Sequence, residues 1–274
     1  VIRKGANQFI VQGALSSKKD TLHDKFGWAI DAGYFGFVKN FITFTTARLV
    51  QDSFDVSDIG FVPWVGEKKF MFATGPYKQY QRGAVTRFFV APGFTVSQEP
   101  GTSDWSVTGM VEVNTDFRND WGFDICLGGG QYHEAPYHPY DDTVINYFAR
   151  NFNSSFWGRL FNQNINFGFD YAYGWNYSRD YLGYQGENRL TYNISVIPQL
   201  RLSLASYLWI EWDPENRVEA IWPIFRPGVD IVFNALTSIK VFDEIVTQTP
   251  GSDFGEQEYL WNRVGVLFSW NFMP

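Results

Sequence analysis

Residues 164–175 read NINFGFDYAYGW. Ile165, Phe167, Phe169, Tyr171, Tyr173 and Trp175 take every second position, with Asn164, Asn166, Gly168, Asp170, Ala172 and Gly174 between them. Side chains of an extended chain point alternately to opposite faces, so this period of two predicts a strand with one bulky and one small or polar face. Six bulky positions make a long strand beside the roughly 5–6 residues usual in soluble sheets. The fold turns on which solvent the bulky face meets.

The pattern recurs on both sides of this stretch. Phe9, Val11, Gly13 and Leu15 alternate with Gln8, Ile10, Gln12 and Ala14, and Trp28, Ile30, Ala32 and Tyr34 with Ala29, Asp31, Gly33 and Phe35. Trp105, Val107, Val111 and Val113 flank Ser106, Thr108 and Glu112, and Trp121, Phe123, Ile125 and Leu127 flank Gly122, Asp124 and Cys126. Leu190, Tyr192, Ile194 and Val196 alternate with Arg189, Thr191, Asn193 and Ser195, and Leu200, Leu202 and Leu204 with Arg201, Ser203 and Ala205. Near the end Leu260, Val264, Val266, Phe268, Trp270 and Phe272 lie opposite Trp261, Arg263, Gly265, Ser269 and Asn271.

Composition agrees. The 274 residues include 27 Phe, 15 Tyr and 11 Trp, yet only 19% are charged, below the roughly 25% of soluble domains. Mean hydropathy is nevertheless −0.22, so polar and aromatic residues are finely interleaved. No run approaches the roughly 18–20 consecutive apolar residues of a membrane helix. A net charge of −7 gives no nucleic-acid footprint, and the single cysteine, Cys126, excludes an internal disulfide. The first residues, VIRKGANQFIVQ, show neither an initiator Met nor a signal-peptide core, as expected of a mature or trimmed end or of a fragment.

Connections alternate in length. Short ones are expected near 38–40, 81–84, 118–120, 198–199 and 236–238. Long polar ones are expected over 17–25, 52–67, 97–104, 131–145, 178–187, 213–223 and 248–257. Keeping that rhythm requires a break inside 156–176: one strand over 147–160, a short turn near 161–163, then the opening stretch. The total is about 14 strands. A strand of about 12 residues at roughly 3.3 Å each, tilted about 40°, covers about 30 Å, enough for an outer-membrane apolar band and its interfaces. The fold class expected is therefore all-β, a transmembrane antiparallel up-and-down barrel occupying 1–274 as one domain. The competing soluble β protein, a sandwich, lectin-like domain or propeller, has shorter strands, and no blade repeat is visible.

The barrel assigns roles to the two phases. Polar positions facing the lumen would be Asp31, Glu112, Asn114, Asp124, Asn164, Asn166, Asp170, Arg189, Asn193, Arg201, Asp230, Lys240 and Arg263. Their mixed signs suit a lumen crossed by ion pairs and water, whether packed or conducting. Trp28, Trp105, Trp121, Trp175, Tyr177, Trp209, Trp212, Trp222 and Trp261 fall near strand ends, where amphipathic rings suit a headgroup-level girdle.

Two stretches carry a family resemblance, FDVSDIGFV (54–62) and VGVLFSWNFMP (264–274), and the order of segments between them is similar too, including RPGVDIVFNALTSIKVFDEIV (226–246). They resemble the C-terminal β-barrel of an uncharacterised family of Gram-negative outer-membrane proteins, in which a carbohydrate-binding-like domain, similar to family 9 modules, precedes the barrel. This sequence lacks that module, and the family's barrel continues past Pro274. The resemblance thus implies a longer protein, with 14–18 strands in the whole barrel, and brings no catalytic residue with it.

Other chemistry is sparse. QYHEAPYHPYDD (131–142) collects His133, Glu134, His138, Asp141 and Asp142. His133, His138 and Asp141 are conceivable metal ligands, but the HxxxxH spacing across prolines is not the HExxH helix pattern, and a tyrosine-rich acidic surface loop explains the stretch as well. Asp55 and Asp58 lack the ligand density of a Ca²⁺ loop and suit a turn. His23, His133 and His138 are the only bases for a surface-loop hydrolase, and no G-x-S-x-G elbow accompanies them. No cofactor is expected. The functional expectation is an outer-membrane pore or channel for small or oligomeric solutes, with a non-conducting anchor or scaffold of an envelope complex as the alternative. Partners would be outer-membrane lipid and lipopolysaccharide, other envelope proteins for the scaffold, and no nucleic acid.

Overall fold

The computed structural model of the chain describes residues 2–4, 7–19, 24–55, 65–137, 140–161, 163–234, 236–250 and 258–270. All regular structure among them is β. The strands are β1 (Ile2–Lys4), β2 (Asn7–Lys19), β3 (Asp24–Val38), β4 (Phe41–Val50), β5 (Lys68–Gln79), β6 (Val85–Gln98), β7 (Ser106–Phe117), β8 (Gly122–Glu134), β9 (Ile145–Leu160), β10 (Gln163–Asn176), β11 (Tyr181–Ile197), β12 (Leu200–Trp212), β13 (Val218–Asn234), β14 (Thr237–Pro250) and β15 (Glu258–Trp270). They hydrogen-bond in chain order from β1 to β15, an antiparallel up-and-down sheet. β1 has three residues and every other strand ten or more, so the long strands match the fourteen expected.

The break around 161–163 is present: β9 ends at Leu160 and β10 starts at Gln163, with Phe161 left-handed at φ 52°. Lys39, Asp120, Asp180 and Asn216 also take positive φ in the connections of their hairpins, as tight turns between twisted strands require. Two expected long connections are short. Residues 178–187 are mostly strand, because Gln185, Glu187 and Arg189 are polar-phase residues of β11 paired to β10. Residues 213–223 shrink to 213–217, where the Asp213 carboxylate accepts from the Arg217 amide (2.8 Å) and guanidinium (2.7 Å). The pairing of β2 with β3 likewise runs out to Lys19 and Asp24, beyond the start expected for the first long connection.

The chain divides into two compact units. Unit 1 is Val1–Gln81, Arg87–Asn114 and Cys126–Arg150; unit 2 is Arg82–Thr86, Thr115–Ile125 and Asn151–Pro274. Exposure is inverted relative to a soluble protein. Among the described residues twelve buried side chains are polar and nine apolar, and Val11, Leu15, Val264 and Val266 are each at least 65% exposed. Isolated exposed apolar residues are ordinary, but whole strand faces of them mark contact with another apolar phase.

In unit 1 one face carries Leu15, Phe26, Ile30, Phe41, Leu49 and Phe70, all exposed. The opposite face packs Ile42, Ala73, Phe89 and Ala91 with Phe35, Phe37, Phe44, Tyr77 and Met110. On that second face Arg48 Nε lies 2.9 Å from Asp31 and its Nη1 3.3 Å from buried Glu67.

Candidate functional site: the polar face of unit 2

Register fixes which side chains share a face from β10 to β15. Asn164 lies opposite Asn193, Gly168 opposite Arg189 and Asp170 opposite Glu187. Arg189 and Asn193 continue to Tyr207 and Ser203, Arg201 meets Asp230, Asp230 meets Lys240, and Glu244 meets Arg263. Asn164, Asn166, Asp170, Arg189, Asn193, Arg201, Asp230 and Arg263 therefore stand together. Within unit 2 Asp124 alternates with Phe123 on β8; within unit 1 Glu112 is a half-buried residue of β7, and Asp31 is held by Arg48.

The polar groups on this face bind one another. Asn153 Nδ2 donates to Asp170 Oδ2 at 3.0 Å, and Arg189 Nε is 3.6 Å from Glu187. Glu244, 3% exposed, is bracketed by Arg226 and by Arg263, the latter at 3.1 Å. Glu211, 5% exposed, accepts from Arg179 Nε at 3.0 Å and Trp209 Nε1 at 3.1 Å. Buried carboxylates need such donors, since a charge withdrawn from water without a partner costs several kcal/mol.

Three cavities open along the face. One of about 610 Å³ lies at the short-turn ends of the strands, lined by Arg159, Gln163, Asn164, Asn193, Ser195, Arg201, Ser203, Asp230 and Lys240. Three cations and one carboxylate, amid amides and hydroxyls, suit water and polar solutes. A second, about 590 Å³, shares Arg159, Asn164 and Asn193 and adds Trp121 and Trp157. The third, about 540 Å³, is aromatic: Tyr207, Trp209, Trp222, Ile224 and Val246, rimmed by Glu187, Glu211, Arg226 and Glu244.

The expected girdle divides. On the apolar face of unit 1 Trp28 lies opposite Leu15; in unit 2 Trp175 lies opposite Leu182, and the Trp212 ring is 5.9 Å from that of Tyr171. Trp105 and Tyr177 are exposed beyond strand ends, and Trp121 covers Gly158. Trp209 and Trp222 differ from expectation. They are register partners on the face of Arg201 and Asp230, because each lies an even number of residues from that register pair along an unbroken ladder. Trp261, of whose side chain nothing is described, is the register partner of Val246. A feature the sequence reading missed is a row of rings on the opposite, apolar face: Phe117, Phe123, Phe156 and Phe169, successive centroids 6.2 Å apart.

The described part of the His-rich stretch is held by local hydrogen bonds. His133 Nδ1 contacts Asn146 Oδ1 at 2.5 Å and lies 3.9 Å from Asp104, while Asp141 Oδ1 accepts from the Thr143 amide at 2.9 Å. Among the described residues no group of His, Cys, Asp and Glu could hold a metal ion. His23, Asp58, His138, Asn271 and Phe272 lie outside the described residues.

Fold and face together define an antiparallel meander that in unit 2 has one apolar exposed face and one polar, ion-paired face. No family model matches the chain, and no curated protein matches it. Among the solved structures it is similar to are OmpT, an outer membrane protein of Vibrio cholerae (9% identity, 97% of this chain and 95% of that one, TM-score 0.43), and the outer membrane channel DcaP of Acinetobacter baumannii (9% identity, 98% and 99%, TM-score 0.47).

Proposed function

We propose that this chain forms the wall of a β-barrel in a bacterial outer membrane and passes small or oligomeric solutes along its polar face. The observation that carries the reading is the inversion of unit 2. Leu202, Phe225, Val229 and Val241 are exposed on one face, while Glu211 and Glu244 are buried on the other. In hydrocarbon every backbone donor and acceptor needs an internal partner, which a continuous antiparallel ladder supplies. The apolar face then meets lipid and lipopolysaccharide, and the mixed-charge cavities offer solutes a wet, weakly selective path. The resemblance to the outer-membrane family with a carbohydrate-binding-like module belongs to this reading.

The test is reconstitution in planar bilayers of protein shown to be folded by heat-modifiable gel migration. Stable unit conductance supports the pore. A folded protein without conductance moves the reading to a non-conducting anchor, which the apolar packing of Ile42, Phe89 and their neighbours on the Asp31 face of unit 1 favours.

A further inference from the structure

We propose that the aromatic cavity of unit 2 is a binding platform for one or two hexose units of a neutral oligosaccharide, a role that the pore reading above does not require of it. Where that reading holds, the platform deepens it by naming a solute class. Trp209 and Trp222 are direct partners across β12 and β13, and Tyr207 lies one polar-phase step from Trp209 opposite Ile224. Three rings thus follow one another on a face that also carries Ile224 and Val246 beside charged and small residues. Lipid-facing aromatics belong on the opposite face, so a headgroup role does not explain these.

The chemistry suits a sugar. Pyranose rings present C–H-rich faces that pack against the electron-rich face of an indole or phenol, and edge hydroxyls that both donate and accept. The rim supplies the complement: Glu187 and Glu211 accept, and Arg226 donates. Trp209 Nε1 is committed to Glu211 at 3.1 Å, whereas Trp222 Nε1 has no acceptor among the described residues. The volume of about 540 Å³ falls within the roughly 300–1,000 Å³ of small-molecule sites. A free anion is disfavoured by the three carboxylates of the rim, Glu187, Glu211 and Glu244, against one lining cation, Arg226.

The experiment uses the whole chain folded in detergent micelles, titrated separately with maltohexaose and cellohexaose while tryptophan fluorescence is followed. Saturable binding of at least one sugar is expected, weakened about tenfold or more by Trp209→Ala or Trp222→Ala, in line with the share that buried Trp contacts carry in other sites. Trp212→Ala, on the opposite face, leaves affinity unchanged. Trp209→Phe keeps a ring and guards against a variant that fails to fold, with an intermediate loss expected. Absence of saturable binding by folded wild type, or affinity undiminished in the Trp209→Ala/Trp222→Ala double variant, overturns the platform. Conductance in KCl without sugar reads the pore alone. A protein that binds sugar and conducts nothing keeps the platform and loses the pore, and one that conducts but ignores both sugars does the reverse.

Discussion

Arg263 Nη2 stands 3.1 Å from Glu244 Oε1 across β14 and β15, and Arg226 reaches the same carboxylate from β13. The Glu244 side chain is 4% exposed, against 41% for Arg226 and 61% for Arg263. A buried anion is thus held by two partly hydrated cations. Arg263→Met alone is expected to cost no more than about 1 kcal/mol, as exposed bridges do. Arg226→Met with Arg263→Met strips the carboxylate of both partners and is expected to cost about 3 kcal/mol or more. Glu244→Gln added to the double variant restores part of the loss. Urea midpoints for folding into lipid vesicles measure these three and Arg226→Met alone, and a double-variant loss that merely adds up from the two single variants would contradict the scheme.

Phe225 is exposed in the middle of β13, with Ser206 and Ile245 as register partners. If that face meets hydrocarbon, Phe225→Arg lowers folding stability in vesicles by about 2–4 kcal/mol, the cost of a cation near the bilayer midplane. Ser203→Glu, on the polar face beside Arg201 and Lys240, stays within about 1 kcal/mol of wild type. Equal, small effects at both positions would place neither face in lipid.

Gly158 has no room for a side chain: a Cβ there would fall on the Trp121 ring. Gly158→Ala is expected to cost about 1–3 kcal/mol through displacement of that indole. Combining it with Trp121→Ala recovers part of the cost, since the two changes share one contact. The double-mutant cycle is read from thermal midpoints of the heat-modifiable band.

The 213–217 connection contains a titratable latch outside the strands. Burial raises the Asp213 carboxyl, but the Arg217 amide and guanidinium outweigh it and hold the group below the ordinary carboxylate range. A folded-state value below the unfolded one means that stabilisation is present at neutral pH and is lost as pH falls through the folded value. Amide-exchange protection at Arg217 and Asn216 is therefore expected to hold at about pH 5 and to fall towards about pH 2, below the reference Asp value near 3.9. Asp213→Asn removes the pH dependence of the Arg217 amide, and protection that is flat in wild type would exclude the latch.

Most of the fold was legible because alternation with period two is a local property: NINFGFDYAYGW names its own faces. The break at 161–163 followed from parity alone. The connection at 177–180 is shorter than expected because Gln185, Glu187 and Asn188 look like loop residues until β10 is laid beside them, and that at 213–217 because 218–223 reads as loop until it is paired with β12. Trp209 and Trp222 were assigned by residue type rather than phase, although Arg201, Ser203, Ala205, Tyr207 and Trp209 already share one parity. The Phe117–Phe169 row was not legible. It depends on inter-strand register, which hairpin geometry sets and no single strand encodes. The aromatic cavity likewise depends on the registration of four strands, β11, β12, β13 and β14.

Pairing in strict chain order has a consequence for how such a protein can change size. Each strand's neighbours in space are its neighbours in sequence, so a duplicated hairpin inserted at any turn leaves all earlier pairings as they were. Two added strands also return the chain to the end of the sheet from which it left. The architecture therefore grows in increments of two, and the number of strands becomes a trait that gene duplication can adjust while the registers of the other hairpins, and the side-chain rows built on them, are inherited intact.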